Sequence, residues 1–277
     1  MRKLLSANFS RLWKNKTFWL CMGAMLVYAL VYMLNGVRQA TVSLTQYHRS
    51  LDDYYFQFAL AIGMFAALFC SMFLGTEYSD GTIRNKLITG HTRAGVYLAN
   101  LVVTFVATLL MIAVWLVAAL VGVPALGFWE MGVPHLLGYL LTAVFFVASF
   151  SSIFTFISML SANKTVTVAI SIFLFLGLLI MASMMYNGLQ QPEMASSVEL
   201  TMDGGMQMGE QQPNPAYVSG AKRVFYEFML DFLPTGQGIL MWQLQIANYL
   251  RMILSSVALT IVPTVCGIVI FRRKNLK

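Results

Sequence analysis

The chain has 277 residues, of which 58% are hydrophobic and only 10% charged, with a formal net charge of +7. A soluble domain carries about 25% charged residues, so this chain lacks the polar groups to cover a water-facing surface. With a mean hydropathy of +0.71, its composition excludes a soluble globular protein and is that of an integral membrane protein.

Residues 1–16, MRKLLSANFSRLWKNK, place Leu4, Leu5, Phe9, Leu12 and Trp13 near one helical face with basic residues elsewhere. That pattern predicts an amphipathic helix lying in the inner-leaflet interface; the alternative is a plain positively charged flank. Six segments then approach the roughly 20 predominantly apolar residues that a membrane-spanning helix needs: 18–34, 56–74, 96–121, 136–160, 166–185 and 249–271. No small-residue cleavage site follows the first, which Tyr28 and Tyr32 continue, so it is expected to remain as a span rather than be removed as a signal peptide.

Orientation follows from lysine and arginine. Arg2, Lys3, Arg11, Lys14, Lys16, Arg84, Lys86, Arg93, Lys164, Arg272, Arg273, Lys274 and Lys277 share one face; Arg38, Arg49, Lys222, Arg223 and Arg251 share the other with most of the acids. Both termini are therefore expected on the cytoplasmic side.

Between the second and third spans, residues 75–95 read GTEYSDGTIRNKLITGHTRAG. Asp80 is expected to cap a helix over 81–89 that Gly90 stops, and Thr92 to cap the next span. Ile83, Leu87 and Ile88 would share one face, with Arg84 and Lys86 turned away. A helix this short is marginal in water, so it must pack against something; a solvated loop with a Ser-Asp-Gly turn is the alternative.

The outer segment, 188–248, divides in two. Residues 190–215 are poor in apolar side chains and contain Gly204, Gly205, Pro213 and Pro215, which predicts a mobile stretch. Then AKRVFYEFMLDFLPTGQGILMWQLQ turns apolar. Phe225, Phe228, Met229, Phe232 and Leu233 would line one side of a helix that Pro234 stops, with Gly236 and Gly238 making a tight reversal. Two short helices dipping into the outer leaflet are expected, with one surface helix as the alternative. Phe225, Phe228, Phe232, Pro234 and Gly236 are the candidate extracellular gate.

The spans hold essentially no ionisable residue, whereas proton- or sodium-coupled carriers place carboxylates or broken helices near the midplane. Pro263 is expected to kink the last span. Cys21, Cys70 and Cys266 sit in apolar runs without a CxxC pair, and the histidines are scattered; no disulfide, metal or catalytic site is expected. The acceptor patterns at Asn8, Asn15 and Asn163 fall on the cytoplasmic side and are discounted. No G-x-x-x-x-G-K-[ST] phosphate loop occurs, so ATP, if used, must bind elsewhere.

The stretch EYSDGTIRNKLITGHTRAGVYLAN closely resembles the loop between spans two and three of ABC-2 type permeases, with its pattern E-x-x-x-G-T-x-x. DFLPTGQG resembles the outer hairpin of that family, and the resemblance covers nearly the whole chain. It implies an all-α polytopic fold forming one transmembrane domain over 1–277: six spans, an interfacial helix, a cytoplasmic coupling helix and an extracellular helical hairpin. It further implies that the connector seats in a groove of a separate ATPase. Glu77, Gly81, Thr82 and Arg84 occupy matching positions, and Tyr78, Asp80, Ile83 and Leu87 lie among them as coupling residues.

What the resemblance implies about function is a permease subunit of an ABC exporter in a bacterial cytoplasmic membrane, not itself an enzyme. It would pair with a second permease, as homodimer or heterodimer, and with two ATPase copies that bind ATP and Mg. Membrane lipid would surround it, and no nucleic acid or resident cofactor is expected. Nineteen methionines suit an adaptable apolar wall and hydrophobic or amphipathic cargo, such as peptides. The alternatives are a non-transporting immunity protein that sequesters a peptide, and an ion-coupled carrier.

Overall fold

A bilayer offers no hydrogen-bond partners to an exposed backbone, so an apolar chain satisfies its amides inside helices. The computed structural model describes residues 1–42, 50–161, 163–200 and 206–274. Among them, six helices are long and apolar enough to cross a membrane.

Helix α1 (Arg2–Trp13) precedes α2 (Lys16–Val42). A short α3 (Asp52–Tyr55) leads into α4 (Phe58–Ser79), followed by α5 (Thr82–Ile88) and α6 (Arg93–Ala119). A single 3-10 turn and α7 (Val123–Leu126) lead to α8 (Val133–Leu160) and α9 (Lys164–Leu189). Strands β1 (Met194–Leu200) and β2 (Met206–Pro213) precede α10 (Gly220–Phe232), α11 (Pro234–Trp242) and α12 (Tyr249–Arg273). The candidate spans are α2, α3–α4, α6–α7, α8, α9 and α12, and the six apolar segments fall within them.

Burial separates centre from rim. The apolar stretch of α3–α4 is 67% buried and that of α8 56%, against 17% for α9 and 11% for α12. The middle is aromatic: Phe150 stacks on Phe154 and meets Phe146 and Phe175 edge-on. Hydroxyl pairs join neighbouring helices, Ser71 with Ser171 at 2.9 Å, Thr104 with Thr155 at 3.0 Å and Ser152 with Thr264 at 2.9 Å. Small polar residues let helices approach closely and bond across an apolar medium.

The segment between α9 and α12 departs from expectation twice. In place of an irregular stretch, β1 and β2 form an antiparallel ribbon whose register shifts between Ser196 and Val198. Asn214 ties its base, its amide nitrogen donating to the Glu193 carbonyl at 2.9 Å and its side chain to the Pro192 carbonyl at 3.1 Å. Extended polar chain can satisfy its backbone groups across a ladder without any apolar pattern. Gly204 and Gly205 lie outside the described residues, as do Arg49 and Lys277.

Second, the reversal comes earlier than Gly236 and Gly238. The first helix, α10, does end before Pro234, and the chain turns at Leu233, whose backbone is extended (φ −72, ψ 135), so that Pro234 begins α11, where its missing N–H costs nothing. Gly236 sits within α11, where a Cβ would come within 2.5 Å of the Leu230 carbonyl oxygen. The glycine serves close packing of α11 on α10. Residues from Pro234 to Ile239 are buried, and the Gln237 amide donates to the carbonyls of Asp231 (2.8 Å) and Met252 (3.2 Å) while accepting from Ser256 (2.7 Å). The hairpin thus places α11 inside the bundle and leaves α10 on its outside.

Candidate functional site

Two residues, Asp80 and Gly81, separate the end of α4 from α5. Gly81 adopts a left-handed backbone (φ +64) and begins α5, a conformation that costs any L-side chain energy. Asp80 therefore closes α4 instead of capping α5, and no side chain caps α5. Thr82 bonds back to the Glu77 carbonyl at 3.1 Å. Thr92 caps α6, its hydroxyl accepting from the Gly95 amide at 3.1 Å.

Inside this turn lies a closed ring of polar side chains. Glu77 is fully buried. One of its carboxylate oxygens pairs with both Arg11 of α1 and Lys86 of α5. The other accepts from the Asn100 amide of α6 at 2.7 Å. Asn8 of α1 donates to Asn100 at 2.7 Å, and Lys86 donates to Asn8 at 2.7 Å. The Arg11 guanidinium also covers the Phe73 ring at 3.9 Å.

Burial lowers the pKa of Arg11 and of Lys86, with the charge of Glu77 acting against it. Two cations thus share one carboxylate, and four helices converge on it. Such a cluster contributes little net stability over an apolar core, but removing its carboxylate leaves both cations uncompensated.

Tyr78 belongs to a second junction. Its hydroxyl donates to the Met159 carbonyl at the end of α8. Lys274, just past α12, donates to Tyr78 (3.1 Å) and to the carbonyls of Met159 (3.3 Å) and Leu160 (3.0 Å). Its ammonium lies 4.2 Å from the centre of the Tyr78 ring. A cation here satisfies carbonyls that the end of α8 leaves open, and burial lowers the Lys274 pKa.

Several expected placements change. Lys86 turns inward to Glu77. Glu77, expected among the coupling residues, is itself buried within the chain. Ile83 is buried and Leu87 half-buried, whereas Ile88 is 72% exposed, so the expected three-residue face is split. Ile83 and Leu87, four residues apart, share the inner side of α5. Its outer side consists of Arg84, Asn85, Ile88 and Thr89, with Asp80 exposed at the preceding turn.

Sequence reasoning missed Asn8, Arg11, Asn100 and Lys274. A signal for Asn8 was present: it interrupts the apolar stripe of α1 between Leu4 and Leu12, all three being buried. Asn100 was likewise a lone amide within an apolar run.

The candidate gate residues also part company. Phe225 and Phe228 are exposed, and Phe232 stacks on Phe228 at 5.8 Å, whereas Pro234 and Gly236 are buried with α11. Beside α11 a cavity of about 360 Å3 lies between α4 and α9, lined by residues including Leu60, Leu179, Tyr186 and Trp242. Among the described residues, no group of His, Cys, Asp and Glu could hold a metal ion.

A family model described as ABC-2 family transporter protein matches residues 4–179. The match runs from α1 into α9 and includes the Glu77 ring and α5. No curated protein matches the chain.

Proposed function

Because this chain belongs to the ABC-2 transporter family, we propose that it is the membrane subunit of an ATP-driven exporter, coupled through α5 to a separate ABC ATPase. The family makes it a multi-pass permease component without its own ATPase site, working with an ABC ATPase in a multimeric assembly. The observation that carries the coupling role is the Glu77 ring.

A partner seated on Arg84, Asn85, Ile88 and Thr89 would push on a helix bonded through Lys86 to Glu77. Glu77 passes that displacement into α4, and through Asn100 and Arg11 into α6 and α1. Packed elements joined by short charge-assisted bonds move together. ATP and Mg bind the partner, which supplies the energy. Two permeases and two ATPases form the complex, with both termini of this chain in the cytoplasm of a bacterial cell.

Cargo is hydrophobic or amphipathic, most readily a peptide, in keeping with uncharged spans and a methionine-rich wall. At the far end, α11 and the cavity beside it form the region that must open for release, so the gate rests on the buried Pro234–Gly236 turn more than on Phe225.

The test is to purify the tagged chain from its own membranes, identify any co-purifying ABC ATPase, and measure ATP-dependent uptake of a labelled amphipathic peptide into inside-out vesicles. An ATPase partner and ATP-dependent uptake support the reading. Peptide binding without either would establish a sequestering protein instead.

A further inference from the structure

Helix α12 contains Pro263 and runs through it without a break. Proline has no N–H, so the carbonyl of Leu259 lacks its helical partner, and a helix bends most easily at such a point. The bundle holds the two sides of that proline in different ways.

The inner arm, residues 264–273, is anchored to α6 and α8. Arg93 of α6 donates to the carbonyls of Phe271 (2.9 Å), Arg272 (3.2 Å) and Lys274. One turn further along α6, Tyr97 packs so closely on Gly267 that a Cβ there would overlap its hydroxyl. Lys274 in turn bonds the last carbonyls of α8, Met159 and Leu160.

The outer arm, residues 249–262, is joined to the hairpin instead. Ser256 donates to the Gln237 side chain at 2.7 Å, and Gln237 donates to the Met252 carbonyl at 3.2 Å. Arg251 pairs with Asp231 of α10 at 3.1 Å. What ties this unit to the helices around it are neutral bonds, among them Thr235 to the Leu178 carbonyl at 2.9 Å, the Ile246 amide to the Tyr139 hydroxyl at 3.3 Å and Tyr186 to Gln245 at 3.1 Å. At the boundary, the Ser152 hydroxyl of α8 spans the proline, 2.8 Å from the Thr260 carbonyl and 2.9 Å from the Thr264 hydroxyl.

We propose that α10, α11 and the outer arm of α12 form one hinged lid, which swings about Pro263 while the inner arm stays anchored, with Ser152 as the catch across the hinge. This deepens the reading of α11 as the region that opens for release, and it rests on that reading for the purpose of the motion. Outward movement of the unit widens the cavity of about 360 Å3 that α11 shares with α4 and α9. It breaks neutral bonds, which are weaker than charge-assisted ones, and leaves the Arg93 and Lys274 contacts intact.

Hydrogen exchange of the full chain in lipid nanodiscs, followed segment by segment by mass spectrometry, tests the hinge without ATP or a partner. Helix α11 and residues 249–262 are expected to exchange in step, and faster than residues 264–273. Pro263→Ala restores the missing helix bond and should slow exchange severalfold in α11 as well as in the outer arm. Ser152→Ala should speed both, whereas Arg93→Gln should speed the inner arm alone. A Pro263→Ala effect confined to the residues flanking 263, or an inner arm that exchanges as fast as the outer one, would overturn the proposal. If exchange follows this pattern but Pro263→Ala leaves export unchanged, the hinge stands and the release role of α11 does not.

Discussion

Glu77 and Tyr78 are consecutive residues at the end of α4, yet their side chains bind different parts of the bundle. Glu77 gathers α1, α5 and α6 through Arg11, Lys86 and Asn100. Tyr78 reaches the end of α8 and the residue after α12 through Met159 and Lys274. Any movement of the last turn of α4 is therefore felt by five other helices. That arrangement suits a segment whose task is to pass a displacement on.

Removing the carboxylate should unsettle the fold before it unsettles transport. Glu77→Gln leaves Arg11 and Lys86 without a counter-charge, and breaking a buried pair in this way costs about 3–5 kcal/mol. Thermal unfolding in detergent should show a marked loss, and adding Lys86→Gln should recover part of it. An unchanged melting temperature for Glu77→Gln would remove the ring from any account of stability.

The outer side of α5 should behave in the opposite way. Arg84 and Ile88 are exposed, and surface changes of this kind stay within about 0.5 kcal/mol. Arg84→Ala combined with Ile88→Ser is expected to leave melting unaltered while weakening capture of the ABC ATPase in a pull-down. Undiminished capture would place the docking surface elsewhere.

Two glycines separate conformational from packing requirements. Gly81→Ala meets no neighbouring atom but keeps a positive φ, a strain of roughly 1–2 kcal/mol. Gly236→Ala drives a methyl against the backbone of Leu230 at 2.5–2.7 Å, which only a shift of α11 can relieve. The Gly236 variant should be the less stable of the two by thermal unfolding, and it should alter export as well.

Orientation can be read by chemistry. In a cysteine-free background, Gln212→Cys on β2 should react with an impermeant maleimide on intact cells, and Thr89→Cys at the end of α5 only after the membrane is opened. The reverse pattern would invert the topology.

Asp231 supplies a pH test. Its folded pKa is raised above 3.8, chiefly by burial, so the folded chain holds this proton more tightly than the unfolded one. Stability from this group is complete below 3.8 and falls as pH rises through the raised value. Asp231→Asn should flatten that part of the melting-temperature profile. A profile identical to the parent would show that Asp231 titrates as if in water.

Membrane class, six spans and the α6 cap at Thr92 were legible in the residues themselves, because hydropathy adds up along a local window and a cap needs only its next few neighbours. So was the helix after Gly81, although its inner and outer sides were not. Lys86 in isolation is best solvated; it turns inward only because Glu77 and Asn8 are waiting there, and Asn8 reaches Asn100 across 92 positions of chain. In the same way, no local rule places α11 inside the bundle. Its buried glutamine finds acceptors on Asp231 and Met252 and a donor on Ser256 only once α10 and α12 are packed around it. Local sequence determines which segments enter the membrane, since each must satisfy its own backbone there. The pairing of buried charges and amides depends on which helices meet, and only the tertiary structure decided that.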